Sequence, residues 1–263
     1  MSKKPPSLSE VRARIDDVDA QILRLVDQRM QITRDVAAAK RADEGSTGFA
    51  LRPARESQVL RRLIANERDA ATQSLVVQLW RGLMAESLYQ QSPFHIAAWG
   101  GKDIARVSEL ARLRFGAAPA MYRVEQPEHA LASARTGAVA VLALTRDHAW
   151  WGRLLAEPKL KIFAVLPCLS QWGAPAAVAV AAVELEPSGP DDETLWVTDA
   201  SERAHEIELA FSRDGVAARL LSEAGGLKLF ALAGFFMSDD ERLQRAPGRL
   251  TGVIGVAPAP FDL

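Results

Sequence analysis

Apolar residues near the start of the chain recur at alternating steps of four and three: Val11, Ile15, Val18, Ile22, Leu25, Ile32, Val36 and Ala39. That spacing predicts a helix burying one narrow seam, running from about Ser7 to Arg41. Where the next apolar residue is due, between Leu25 and Ile32, stands Arg29. A guanidinium on a buried stripe costs several kcal/mol unless an anion meets it. Either a carboxylate on a neighbouring helix or a bound ligand must supply that anion. Ser7 and Glu10 have the S-x-x-E spacing of a capping box, which sets the helix start near Leu8. No Gly or Pro interrupts the pattern until Gly45, which gives about nine turns.

The stretch Asp43 to Leu51 holds two glycines and reads as a loop. Pro53 suits the first turn of a second helix, whose inward face carries Val59, Leu60, Leu63 and Ile64. A third helix is predicted over Gln73–Gln91, with Leu75, Val76, Leu79, Leu83, Met84 and Leu88 inward and Pro93 ending it. Beyond Phe94 the pattern changes to short apolar runs at Ile96–Trp99, Val139–Leu144, Ile162–Leu166 and Ala177–Val183. Helical patterns at Ile104–Phe115, Glu128–Ala134 and Trp150–Leu155 alternate with the first of them, which is α/β texture. Glu186 to Asp192 (EPSGPDD) reads as a linker. After it the predicted order is βαββαβ, the split-βαβ or ferredoxin-like arrangement, from Leu195 to Val256.

The predicted fold is therefore multidomain, α and α/β. Residues 1–93 form an all-α three-helix domain, 94–186 an α/β domain and 193–263 a ferredoxin-like segment. A second parse makes Phe94 to Val256 one two-lobed domain. At 263 residues, 48% of them hydrophobic, the chain is long enough for about two cores. A net charge of -1 argues against nucleic-acid binding through overall charge. Cys168 is the single cysteine, which excludes an internal disulfide and a cysteine-based zinc cluster. No apolar run approaches the ~20 residues of a membrane span, and the N-terminus has no apolar signal core, so a cytoplasmic location is expected.

Arg29 and Lys40 are 11 residues apart, which returns them to within about 20° of the same helix face and ~16 Å along the axis. Two long side chains leaning together there could grip one small anion. Arg12 lies about 26 Å from Arg29, too far to join them from the same helix. If Arg12 serves that ligand, it comes from a second, antiparallel copy of the chain. A helix this long cannot fold back on itself, so an intertwined homodimer would bury the seam.

Met1 to Gln91 resembles the all-helical (type II) chorismate mutases, intertwined dimers that convert chorismate to prephenate. The resemblance rests on V-R-A-R-I-D-x-V-D, D-Q-R-M and A-A-A-K in the first helix, R-E-S-Q-V-L in the second and E-S-x-x-x-Q in the third. It implies that Arg12 reaches into the partner's site to hold a substrate carboxylate while Arg29 binds the other. It gives Lys40 and Gln91 the ether oxygen of the breaking bond, and Glu56 the ring hydroxyl. Arg55 would brace the site and Ser87 would line it. Arg52 stands where close relatives often have an aspartate. The reaction is a [3,3] rearrangement needing no nucleophile, metal or proton transfer, so no cofactor or metal is expected. The enzyme has to hold one conformer and place positive charge at the ether oxygen.

Residues 94 to about 169 resemble the first lobe of prephenate dehydratases, often fused behind such mutases. The T-R-F triplet is absent, and T-R-D-H-A-W stands where E-N-S-x-x-G would follow the Val139–Leu144 strand. Dehydratase activity is therefore not expected. The closing βαββαβ order is similar to regulatory modules that bind aromatic amino acids, which implies such an effector, although their G-A-L and E-S-R-P motifs are absent. Two rival readings are an isochorismate-pyruvate lyase on the same helical scaffold and a non-catalytic, ligand-sensing dimer. Glu56 and the R-E pair favour the mutase over the lyase, and the intact cation set argues against the sensor.

Overall fold

The computed structural model describes residues 6–42 and 51–262, with the side chains of Lys40 and Arg41 outside the description. Two compact units result, Met1–Gly48 and Phe49–Leu263. Among its described residues the first contains α1 (Leu8–Ala42), begun by the expected capping box. The Ser7 backbone N–H donates to Glu10 Oε2 at 2.7 Å, and the Glu10 N–H donates to Ser7 Oγ at 3.3 Å. Along α1 the buried positions are Met30, Thr33 and Ala37, with Val26 and Arg29 half-buried beside them. The heptad seam behaves differently: Ile15 is 54% exposed, Leu25 64% and Ile32 55%. Within one chain that seam faces solvent.

The second unit opens with α2 (Pro53–Ala65) and α3 (Gln73–Gln91). Pro53 occupies the first turn of α2, where its missing N–H costs nothing. Thr72 caps α3 by accepting from the Leu75 N–H at 3.2 Å. Then come β1 (His95–Trp99), α4 (Ile104–Phe115), β2 (Ala120–Arg123), α5 (Pro127–Arg135) and β3 (Val139–Ala143). The helical pattern at Trp150–Leu155 is a 3₁₀ stretch, Trp150–Ala156, which leads to β4 (Leu160–Leu166) and β5 (Ala177–Ala182). After the 186–192 segment come β6 (Asp192–Thr198), α6 (Ala204–Arg213), β7 (Ala218–Ala224), β8 (Leu227–Ala233), α7 (Glu241–Gln244) and β9 (Thr251–Pro258).

Among the described residues, nine strands form one mixed sheet in the order β2-β1-β3-β5-β4-β9-β6-β8-β7. Strands β2, β1 and β3 are parallel, and β5 runs antiparallel to both β3 and β4. Strands β9, β6, β8 and β7 are antiparallel throughout. The halves meet where β4 runs parallel to β9, at the pair Ile162 and Gly255. A Cβ on Gly255 would lie 2.2 Å from the Ile162 carbonyl oxygen, so only glycine permits that approach.

All five residues of β3 are buried, as expected for a strand covered on both faces. Helices α4 and α5, with Trp150 and Trp151, pack on this half of the sheet in one apolar core. A second core gathers Trp196, Ile207, Phe211, Phe230 and Leu232 around α6. Packing is continuous from α3 into the sheet through edge-on aromatic contacts. Tyr89 meets Phe94 at 6.2 Å, Phe94 meets Phe115 at 6.3 Å, and Phe115 meets Phe163 of β4 at 6.1 Å.

Candidate functional site

Helix α1 carries three of the residues singled out from the sequence. Arg12 is exposed near its start. Arg29 is half-buried, and desolvation holds its guanidinium below the usual arginine range. The Thr33 hydroxyl donates to the Arg29 carbonyl at 3.0 Å, a one-turn bond that keeps this turn of α1 closed. Lys40 lies on the last turns of α1, but its side chain is outside the described residues.

Ser87 and Gln91 come together on one face of α3, one turn apart. The buried Ser87 hydroxyl donates to the Leu83 carbonyl at 2.7 Å, and Gln91 Nε2 donates to the Ser87 carbonyl at 3.2 Å. Arg55 on α2 is exposed. Its neighbour Glu56 turns inward, its side chain only 12% exposed.

Glu56 meets two residues that the sequence reading did not single out. Arg81 of α3 donates through Nη1 at 3.0 Å and Arg114 of α4 through Nη2 at 2.5 Å. Both reach the same oxygen, Oε2. Arg81 is 3% exposed and Arg114 2%. Desolvation, then the charge of Arg114, pushes the Arg81 guanidinium down to about 10, so at neutral pH it stays charged. The signal that picked out Arg29 would have found both. Arg81 falls on the buried stripe Val77–Arg81–Ala85–Leu88 of α3, and Arg114 on the stripe Val107–Leu110–Ala111–Arg114 of α4.

The outer face of α2 is also engaged. Arg52 reaches Glu186 at 3.3 Å between exposed side chains. Gln58 Nε2 donates to the Pro187 carbonyl at 3.5 Å. Arg61 donates to Ser188 Oγ at 2.9 Å and lies 3.7 Å from the buried carboxylate of Asp192. Asp192 in turn accepts from the Ser188 N–H at 2.6 Å, from the Gly189 N–H at 3.2 Å and from the Ser188 hydroxyl. The 186–192 segment is thus a clasp on α2.

Helices α1, α2 and α3 are the elements that precede the first strand. Residues 11–92 match the family described as Chorismate mutase type II. This stretch is a type II chorismate mutase domain, followed by an α/β region built on a mixed nine-stranded sheet. Curated relatives include two proteins named bifunctional chorismate mutase/prephenate dehydratase. The one from Pseudomonas aeruginosa is 30% identical over 95 residues, covering 35% of this chain and 26% of that protein. The one from Neisseria gonorrhoeae is 36% identical over 89 residues, covering 34% and 23%. The chain thus spans about a quarter of the length of these curated relatives. Among solved structures, the chain is similar to prephenate dehydratase from Streptococcus mutans (TM-score 0.40, 13% identity, 64% of this chain and 100% of that one). It is similar as well to the structure titled "GqqA- a novel type of quorum quenching acylases" (TM-score 0.42, 16% identity, 62% and 95%). No function is drawn from likeness at that level.

Proposed function

We propose that the protein is a chorismate mutase, rearranging chorismate to prephenate for phenylalanine and tyrosine biosynthesis. The observation that carries this reading is the family match over residues 11–92, a stretch that contains Arg12, Arg29, Lys40, Arg55, Glu56, Ser87 and Gln91. In this reading Arg29 holds one substrate carboxylate and Arg12, supplied in trans by a second copy, holds the other. Lys40 and Gln91 donate to the ether oxygen as it becomes electron-rich, Glu56 accepts from the ring hydroxyl, and Ser87 lines the pocket. Catalysis then consists of holding the compact conformer and stabilising charge that grows in the transition state. The homodimer is supported by the exposed apolar seam of α1.

For residues 94–263 we propose a non-catalytic, regulatory role with an aromatic amino acid as effector. The strand order β9-β6-β8-β7, antiparallel with α6 and α7 as crossovers, supports a ferredoxin-like reading of 193–263. The missing T-R-F and E-N-S-x-x-G motifs speak against dehydration.

The decisive assay follows the loss of chorismate absorbance by purified protein, with and without phenylalanine and tyrosine. Turnover without added metal or cofactor is expected, and Lys40→Ala should lower kcat by about 10²–10³. A Lys40→Ala variant with near wild-type turnover would remove Lys40 from its role. Pyruvate release from isochorismate in the same preparation would favour the lyase. Binding of an aromatic amino acid with no chorismate turnover would favour the sensor.

A further inference from the structure

Glu56 is held by more positive charge than it needs. One guanidinium would neutralise it, yet both Arg81 and Arg114 are buried against its Oε2. A second buried cation costs more desolvation than one shared carboxylate repays, and the lowered pKa of Arg81 registers that cost. Arg114 also lies over two aromatic rings. Its guanidinium lies 4.8 Å from the Phe115 ring centroid and 5.9 Å from that of Phe163, which stands on β4 in the middle of the sheet. A chain of contacts therefore runs from β4 through Phe163 and Arg114 to Glu56 on α2. Both arginines bond to Oε2, and neither bond uses Oε1.

We propose that Arg114 is a positioning residue for the mutase reaction: it fixes the Glu56 carboxylate so that Oε1 meets the ring hydroxyl of chorismate. This makes the α/β region part of the apparatus that sets substrate affinity, and it rests on the mutase reading above. The ring hydroxyl is bonded in both ground and transition states, so misplacing its acceptor weakens both alike and raises KM rather than lowering kcat.

The test compares Arg114→Lys and Arg114→Met in the full chain, each alone and with Glu56→Gln, whose amide oxygen can still accept from Arg81. Losing a charge-assisted bond of this kind predicts a KM for chorismate raised ~10-fold in Arg114→Met, with kcat within about twofold. Arg114→Lys keeps the buried charge but not the fork, and should show a smaller KM rise. In the Glu56→Gln background neither change should raise KM further, because Arg114 acts only through Glu56. Unchanged KM in both single variants, or additive effects in the double variants, would overturn the proposal. If Arg114→Met does not fold, Arg114→Lys carries the comparison alone. A wild-type chain that never turns over chorismate overturns the mutase reading and this role with it. Wild-type turnover with KM indifferent to residue 114 overturns only the latter.

Discussion

Two guanidinium groups around one carboxylate make Glu56, Arg81 and Arg114 unequal in what their loss costs. Removing Glu56 strands two buried cations, whereas removing either arginine leaves a neutral pair. Glu56→Ala should therefore lose ~3–5 kcal/mol, and Arg81→Met or Arg114→Met clearly less. Urea unfolding of the three variants checks the order, and a smaller loss for Glu56→Ala than for either arginine would contradict it. Glu157 answers to a different condition. Arg135 donates to it through Nε at 2.6 Å and Nη2 at 2.5 Å, which holds the carboxyl below the usual 4.5. A carboxylate with a depressed folded pKa contributes stability above its unfolded pKa and loses it as pH falls through the folded value. Below about pH 4.5 the melting temperature of the wild type should fall faster than that of Glu157→Gln. Parallel slopes would mean that the pair, half open to solvent at Arg135, contributes nothing.

Helix α2 owes its place to what grips it. Its Arg52 contact with Glu186 is exposed, so Arg52→Ala should leave the unfolding midpoint unchanged. Asp192 is 2% exposed and takes three bonds from Ser188 and Gly189 while facing Arg61. Asp192→Ala strands those donors and should cost ~2–3 kcal/mol by the same measurement. If the two variants unfold together, the clasp does not hold α2. The extents of α1, α3 and α4 could be read from sequence because periodicity, caps and the closing Pro93 or Gly116 all mark them. Strand β2 could not, since Ala120–Arg123 is a four-residue edge strand with no buried position. The helical pattern at Trp150–Leu155 did not fix the helix type, because Trp150, Trp151 and Leu154 are buried at a spacing that fits either. The clasp and the Glu56 triad were hidden for another reason. Their partners lie 25 to 134 residues apart, on different elements, and local pattern does not report which distant charges meet.

At the scale of the whole molecule, the unfinished surface is α1. Thirty-five helical residues expose Ile15, Val18, Ile22, Leu25, Ile32 and Val36 along one stripe, an apolar face that a second copy would cover. In the proposed dimer, Leu25→Glu should therefore give monomer in analytical ultracentrifugation and abolish turnover, because each proposed site would lose its Arg12. The origin of Arg12 can be tested without disturbing the interface. Arg12→Ala and Lys40→Ala should each be nearly inactive alone. In a dimer of one with the other, a site built from two chains takes the intact Lys40 of the first and the intact Arg12 of the second, and the opposite site takes neither. Random reassociation at equal concentrations makes half the dimers mixed, so about a quarter of wild-type activity should return. If both residues of a site came from one chain, mixing would restore nothing, because every site would still lack one of its two cations.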